Sequence, residues 1–247
     1  MNSPTQTLPI DLNNNIPAVV VTFDDGYATD YSEAFAYMQT KNIKGTSFIN
    51  STTIDGAGYM TAANLATMYA AGWDIGNHTD THTSLTTLGG QAAQETAIAN
   101  CKSYLDGLGL TRASDYVAYP NGAYDADTLA AMAAQSMKLG RIILDSPWTL
   151  SEMAANWYEI PSRSMQNIFT LAEAKAYLDN AICQGRVAIL YFHKLVASSP
   201  TLSQWLISDF QALMDYINSK NMVSLTISQL YGLHSAALNY NNPWYVP

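Results

Sequence analysis

Short apolar runs alternate along this chain with segments whose apolar positions recur at helical spacing. Residues 17–23, with three consecutive valines, form a near-continuous apolar run and read as a strand buried on both faces. Tyr31, Ala34, Phe35 and Met38 follow at the spacing of a helix. Residues 45–49 are strand-like. Thr61 caps a helix that runs through Leu65 and Met68 and stops at Gly72. The pattern continues with strands at 73–76, 116–119 and 139–144, separated by helices at 91–108 and 127–137. A sixth strand is expected at 157–160 and a seventh at 187–192, with a helix at 171–183 between them. A helix at 204–217, a short strand at 222–225 and a helix starting from the Thr226 cap complete the series.

This alternation predicts a parallel sheet with helical crossovers. Seven to eight such units predict a closed or partly closed single-domain (β/α) barrel, with an open doubly wound sheet as the other arrangement of the same units. The length of 247 residues suits one barrel. No internal repeat, long linker or low-complexity tract interrupts it. Residues 1–15 read as an arm, 16–240 as the folded domain and 241–247 as a tail.

Composition narrows the partners. Charged residues make up 13% of the chain, and the formal net charge is −9. An acidic chain is repelled by phosphate backbones, which argues against nucleic acid and leaves a neutral polymer such as a glycan compatible. No apolar run approaches the ~20 residues of a membrane helix. The polar start, Met1 to Thr5, has no signal-peptide core. The low-charge, Asn- and Thr-rich surface points to an extracellular or cell-surface setting; oligomeric state is not legible. Cys101 and Cys183 fall in helical segments without metal-ligand spacing and are expected as two buried free thiols.

The chemistry stands where the expected strands end, which is where parallel α/β folds bind ligands. The first strand ends in Asp24-Asp25-Gly26 and the third in His78-Thr79-Asp80-Thr81-His82. The fourth ends in Tyr119-Pro120-Asn121-Gly122, and the fifth is followed by Asp145-Ser146-Pro147-Trp148. Arg163 follows the sixth and His193 the seventh, so three of the four histidines lie on this rim. A His-x-x-x-His pair brings two imidazoles to one side of a helical turn, and with one carboxylate it forms a metal site with open positions. Read alone, the pair is equally two surface histidines, and Asp-Asp-Gly alone reads as a turn; following a buried valine-rich strand and with His-x-x-x-His downstream, it no longer does. Adjacent aspartates at a strand end point in different directions, so one can bind metal while the other acts as a base.

Thr22-Phe23-Asp24-Asp25-Gly26-Tyr27 and His78-Thr79-Asp80-Thr81-His82 resemble the first two motifs of the polysaccharide deacetylases, the nodulation-factor-deacetylase-like superfamily or carbohydrate esterase family four. The resemblance implies a distorted barrel holding one divalent metal, zinc first and cobalt, nickel or iron otherwise. It implies Asp24 as general base, Asp25, His78 and His82 as metal ligands, and His193 as general acid. Tyr119, Pro120, Asn121 and Gly122 resemble a Tyr-Pro-x-Gly variant of the third motif, with the Asn121 N–H facing the oxyanion. The arginine that usually steadies the base is replaced there by Ala118, and Arg163 is a candidate to supply the missing charge. Asp145 and Trp148 resemble the fourth motif, a carboxylate that orients the acid histidine and an aromatic pocket wall. His234 matches no motif.

The implied reaction is hydrolysis of acetyl groups on an N-acetylglucosamine-type carbohydrate. An acetylxylan-type esterase, an inactive glycan-binding module favoured by Ala118, and a metal-free amidohydrolase are the rival expectations.

Overall fold

The computed structural model describes residues 17–220 and 222–240, with side chains up to residue 233. The arm expected at 1–15, the tail at 241–247 and the side chain of His234 lie outside the described residues.

Seven parallel strands close on themselves. They are β1 (Ala18–Asp25), β2 (Gly45–Ile49), β3 (Asp74–Asn77), β4 (Ala113–Ala118), β5 (Leu139–Ile143), β6 (Ile160–Ser164) and β7 (Val187–Phe192), and β7 pairs back onto β1. A short pair, β8 (Leu195–Val196) and β9 (Trp205–Leu206), sits beyond β7. The last strand, β10 (Val223–Leu225), pairs with Ala18–Val20 of β1, whereas β2 pairs with Val21–Asp25. The eighth unit is therefore a wedge under β2, and it distorts a seven-stranded barrel.

A π-type turn at Asp30–Phe35 runs into α1 (Ala36–Thr40). The remaining helices are α2 (Ala62–Ala70), α3 (Gln91–Gly107), α4 (Ala126–Ala134), α5 (Leu150–Ala155), α6 (Leu171–Gln184), α7 (Ile207–Ser219) and α8 (Ile227–Tyr240). Thr61 caps α2 through a reciprocal pair with Asn64, as its position before the apolar period predicts, and Gly72 takes the left-handed φ of 93° that ends the segment. No helix among the described residues is long and apolar enough to cross a membrane.

The period of two along β1 sorts its residues into two environments. Val19, Val21 and Phe23 face the helices and pack in one cluster with Trp73, Phe192 and Phe210, their ring centroids 5.2–5.8 Å apart. Ala18 and Val20 face the barrel interior with Phe48, Leu139, Val187 and Ile189. Burying one such side chain contributes about 2–3 kcal/mol. Thr22 and Asp24 share the parity of Ala18 and Val20, so the carboxylate of Asp24 forms part of the uppermost interior layer.

The structure corrects several boundaries. The sixth strand begins at Ile160, where residues 157–160 had been expected to hold it, because 156–159 form a turn in which Tyr158 N–H donates to the Asn156 side chain. Residues 205–206 are β9 rather than helix, and α5 had no strong apolar period to announce it. Cys101 is a buried free thiol as expected, but Cys183 is exposed, being on the outer side of α6.

Candidate active site

Asp25 ends β1 with a left-handed φ of 75°. That turns its carboxylate away from Asp24 and toward His78 and His82, whose Nε2 atoms lie 3.6 and 3.3 Å from Asp25 Oδ1. The two imidazoles do not meet across a helical turn as the His-x-x-x-His spacing had implied. Residues 78–84 are irregular, and Thr79 and His82 both adopt left-handed φ, 66° and 61°. Left-handed backbone at a non-glycine residue costs of order 1 kcal/mol or more and persists where surroundings enforce it. At Thr79 amides enforce it: Asn77 Oδ1 accepts from Thr79 N–H at 2.8 Å, and Asn50 Nδ2 donates to the His78 carbonyl at 2.6 Å.

The residues fit a divalent metal. His78 Nδ1 lies 2.7 Å from the Ala118 carbonyl, which fixes the proton on Nδ1 and leaves Nε2 with its lone pair free. Asp25 Oδ1 is buried without a hydrogen-bond partner. One ligand atom from each of Asp25, His78 and His82 falls within 4.8 Å of the others. Ligands ~2.0–2.2 Å from a tetrahedral ion stand about 3.3–3.6 Å apart, the spacing of Asp25 Oδ1 from the two nitrogens. Burial holds the His78 imidazole below its ordinary pKa against the pull of Asp24 and Asp25, which favours the neutral ligand form.

Asp24 is held separately. Burial would raise its pKa, but the Arg141 guanidinium, with His78 and His193, outweighs that and keeps the carboxyl below its usual range. Arg141 donates to Asp24 Oδ2 and, at 2.7 Å, to Ser162 Oγ, which in turn donates to the Ile142 carbonyl. Asp24 Oδ1 is left without a partner.

The positive charge beside Asp24 is thus Arg141 of β5, not Arg163. Arg163 pairs instead with Asp145 at 3.4 Å and stacks on Phe169, 3.8 Å from the ring centre. Asp145 is exposed and does not reach His193, whose Nδ1 has no hydrogen-bond partner among the described residues. Trp148 exchanges backbone hydrogen bonds with Val187 at the start of β7, the end of the barrel opposite His193, and so is not a pocket wall. Arg141 carried a signal in sequence, a charged residue inside an apolar strand, and it is 1% exposed.

The Tyr119-Pro120-Asn121-Gly122 turn closes the site. Asn121 has φ 58° and Gly122 φ 67°; a side chain on Gly122 would also meet Ile143 Cγ1 at 2.7 Å. The Gly122 and Ala123 N–H groups donate back to Tyr119 and Pro120 carbonyls, while the Asn121 side chain donates to Ser84 Oγ at 2.8 Å. Tyr119 is buried, its hydroxyl donating to the Tyr158 carbonyl at 2.9 Å, so it anchors the turn. Asp24, Asp25, His78, His82, Asn121 and His193 all line one cavity of about 370 Å³, together with Arg141 and residues absent from the sequence motifs: Ile143, Gln166, Leu202 and Ser203.

A family model described as polysaccharide deacetylase matches residues 11–140. The "Putative polysaccharide deacetylase YxkH" of Bacillus subtilis is 29% identical over 122 residues, covering 49% of this chain and 43% of that protein, so the chain spans less than half of that relative's length. Among solved structures, the Streptococcus pyogenes deacetylase PplD in complex with acetate superposes with a TM-score of 0.56 at 22% identity, over 67% of this chain and 69% of that one. The Xyl-CE4 domain of a multidomain xylanase from the hindgut metagenome of Trinervitermes trinervoides gives 0.59 at 14% identity, over 90% and 92%. At these identities the structural likeness shows a shared fold.

Proposed function

This chain belongs to the polysaccharide deacetylase family, and on that premise we propose that it is a metal-dependent hydrolase removing acetyl groups from an N-acetylated carbohydrate of the N-acetylglucosamine type. The observation that carries the reading is the separation of two carboxylates in one cavity. Asp25 converges with His78 and His82, while Asp24 is paired with Arg141 and keeps one oxygen free.

Asp25, His78 and His82 would hold a divalent ion, zinc, cobalt or nickel suiting a carboxylate and two imidazoles. When bound, such an ion supplies Lewis acidity, polarising an acetyl carbonyl and lowering the pKa of water. Asp24, ionised because of Arg141, accepts the proton of the attacking water on Oδ1. The Asn121 N–H, in the strained turn after β4, faces the developing oxyanion. His193 in its protonated form donates to the leaving nitrogen, a poor leaving group until it is protonated. The inactive-module alternative drew on Ala118, and Arg141 removes that argument by supplying the charge from another strand.

The test is acetate release from N-acetylglucosamine oligomers after chelation and after adding back zinc, cobalt or nickel. Loss with chelation and recovery with metal is the expected result. Release unaffected by chelation, or release from acetylated xylan and not from the oligomers, would overturn the proposal.

A further inference from the structure

No hydrogen bond at Nδ1 orients His193 among the described residues, and Asp145, expected to do so, pairs with Arg163 instead. What the imidazole does meet is the ring of Tyr191, with ring centroids 5.6 Å apart and planes at 72°, an edge-to-face contact. Side chains alternate along a strand. Val187, Ile189 and Tyr191 of β7, and His193 just beyond it, therefore face the barrel interior, while Phe192 packs outward with Phe23 and Phe210. Tyr191 and His193 are neighbours on one face because two residues separate them.

The same ring meets Arg141. The guanidinium carbon lies 4.5 Å from the centre of the Tyr191 ring, and the Phe48 ring is 5.7 Å from it. Nη2 and Nη1 donate to Asp24 and Ser162, whereas Nε is buried without a partner. The guanidinium is thus held by two acceptors and by an aromatic ring, whose face attracts a cation most strongly where water is excluded. Tyr191 is buried, and its carbonyl accepts from Met165 N–H at 2.9 Å, which ties it to the end of β6. One fixed ring therefore touches both the cation that holds the base and the imidazole that serves as the acid.

We propose that Tyr191 is a positioning residue for both proton transfers, its ring holding the Arg141 guanidinium against Asp24 and setting the orientation of the His193 imidazole. The inference rests on the deacetylase reading for the roles of Asp24 and His193 and adds the side chain that aligns them. Both neighbours are cationic when they act, so the property that matters is the electron-rich ring face. Phenylalanine should replace such a ring and an aliphatic side chain should not. Loss of alignment should appear in kcat rather than KM.

The experiment measures acetate release by metal-loaded protein carrying Tyr191→Phe, Tyr191→Leu or a trifluorinated phenylalanine at position 191. On N-acetylglucosamine oligomers, Tyr191→Phe is expected to keep kcat within about threefold, and Tyr191→Leu to lose about thirtyfold or more with KM within about twofold. That loss should be at least about fivefold smaller on an aryl acetate, whose leaving group departs without a proton from His193. The fluorinated ring keeps the size of phenylalanine and weakens its face, and is expected to lower kcat at least about fivefold below Tyr191→Phe; this comparison holds even where Tyr191→Leu does not fold. Equal losses on the two substrates, a loss carried by KM, or a fluorinated ring as active as phenylalanine overturns the positioning role. Release by the unaltered protein that Tyr191→Leu matches overturns it too and leaves the deacetylase reading intact. No release by the unaltered protein overturns both.

Discussion

Arg141 on β5 donates to the carboxylate of Asp24 on β1, and both side chains are buried inside the barrel. The pair keeps Asp24 ionised to lower pH than an ordinary aspartate, because a depressed carboxyl pKa means the base is lost only as pH falls through that lower value. Arg141→Met removes the guanidinium and leaves burial as the dominant influence, which raises the Asp24 pKa. The acidic limb of kcat/KM is expected to move to higher pH, and the rate at neutral pH to fall about 10²-fold or more. A pH–rate profile checks this; an acidic limb that stays in place would show that Asp24 is not the base.

Metal binding and proton transfer are predicted to separate by residue. Asp24→Asn should lower kcat about 10²–10⁴-fold while metal binding, measured by titration, stays intact. His82→Ala should weaken both, since its Nε2 is one of the converging ligand atoms.

His193 is assigned to the leaving group, so its importance should follow that group's basicity. His193→Ala is expected to lose at least about 10²-fold on N-acetylglucosamine oligomers and far less on an aryl acetate, whose leaving group departs unprotonated. Parallel initial rates on the two substrates test it. Equal losses would assign His193 to shaping the cavity.

Asp74 closes the opposite end of the barrel. It is fully buried, pairs with Arg112 Nε at 2.9 Å, and accepts from Ser228 N–H at 2.7 Å and Ser228 Oγ at 3.0 Å, which anchors the start of α8. Asp74→Ala leaves the Ser228 N–H and hydroxyl without their buried acceptor and unties the helix, at a cost of about 3 kcal/mol. For a domain of this size that is roughly 6–10 °C in Tm. Activity per folded molecule should not change, and thermal unfolding followed by assay of the folded fraction measures both.

The thiols should titrate in two classes. Cys183 is exposed, while burial pushes the Cys101 thiol up to about 12 and its Sγ–H donates to the Ile49 carbonyl at 3.3 Å. One thiol is expected to react with an aromatic disulfide reagent in the native protein and two after denaturation.

By itself the sequence determined the parallel βα architecture and the rim. The valine run of β1, the Thr61 cap and the period of two that turns Ala18, Val20, Thr22 and Asp24 to one side are local properties, written in residue type and spacing. Asp25, His78 and His82 were legible for the same reason, since their short motifs sit at strand ends. Contacts between segments far apart in sequence were decided only in three dimensions. Arg141 rather than Arg163 meets Asp24 because β5 aims position 141 into the same interior layer, across 117 residues of chain. Asp145 and Trp148 left the site because the segment after β5 runs out to the surface and then down to Val187. The left-handed backbone at Asp25, Thr79 and Asn121 likewise belongs to the folded chain, since an isolated peptide would not hold three non-glycine residues at positive φ; at Thr79 the Asn77 side chain accepts from its N–H.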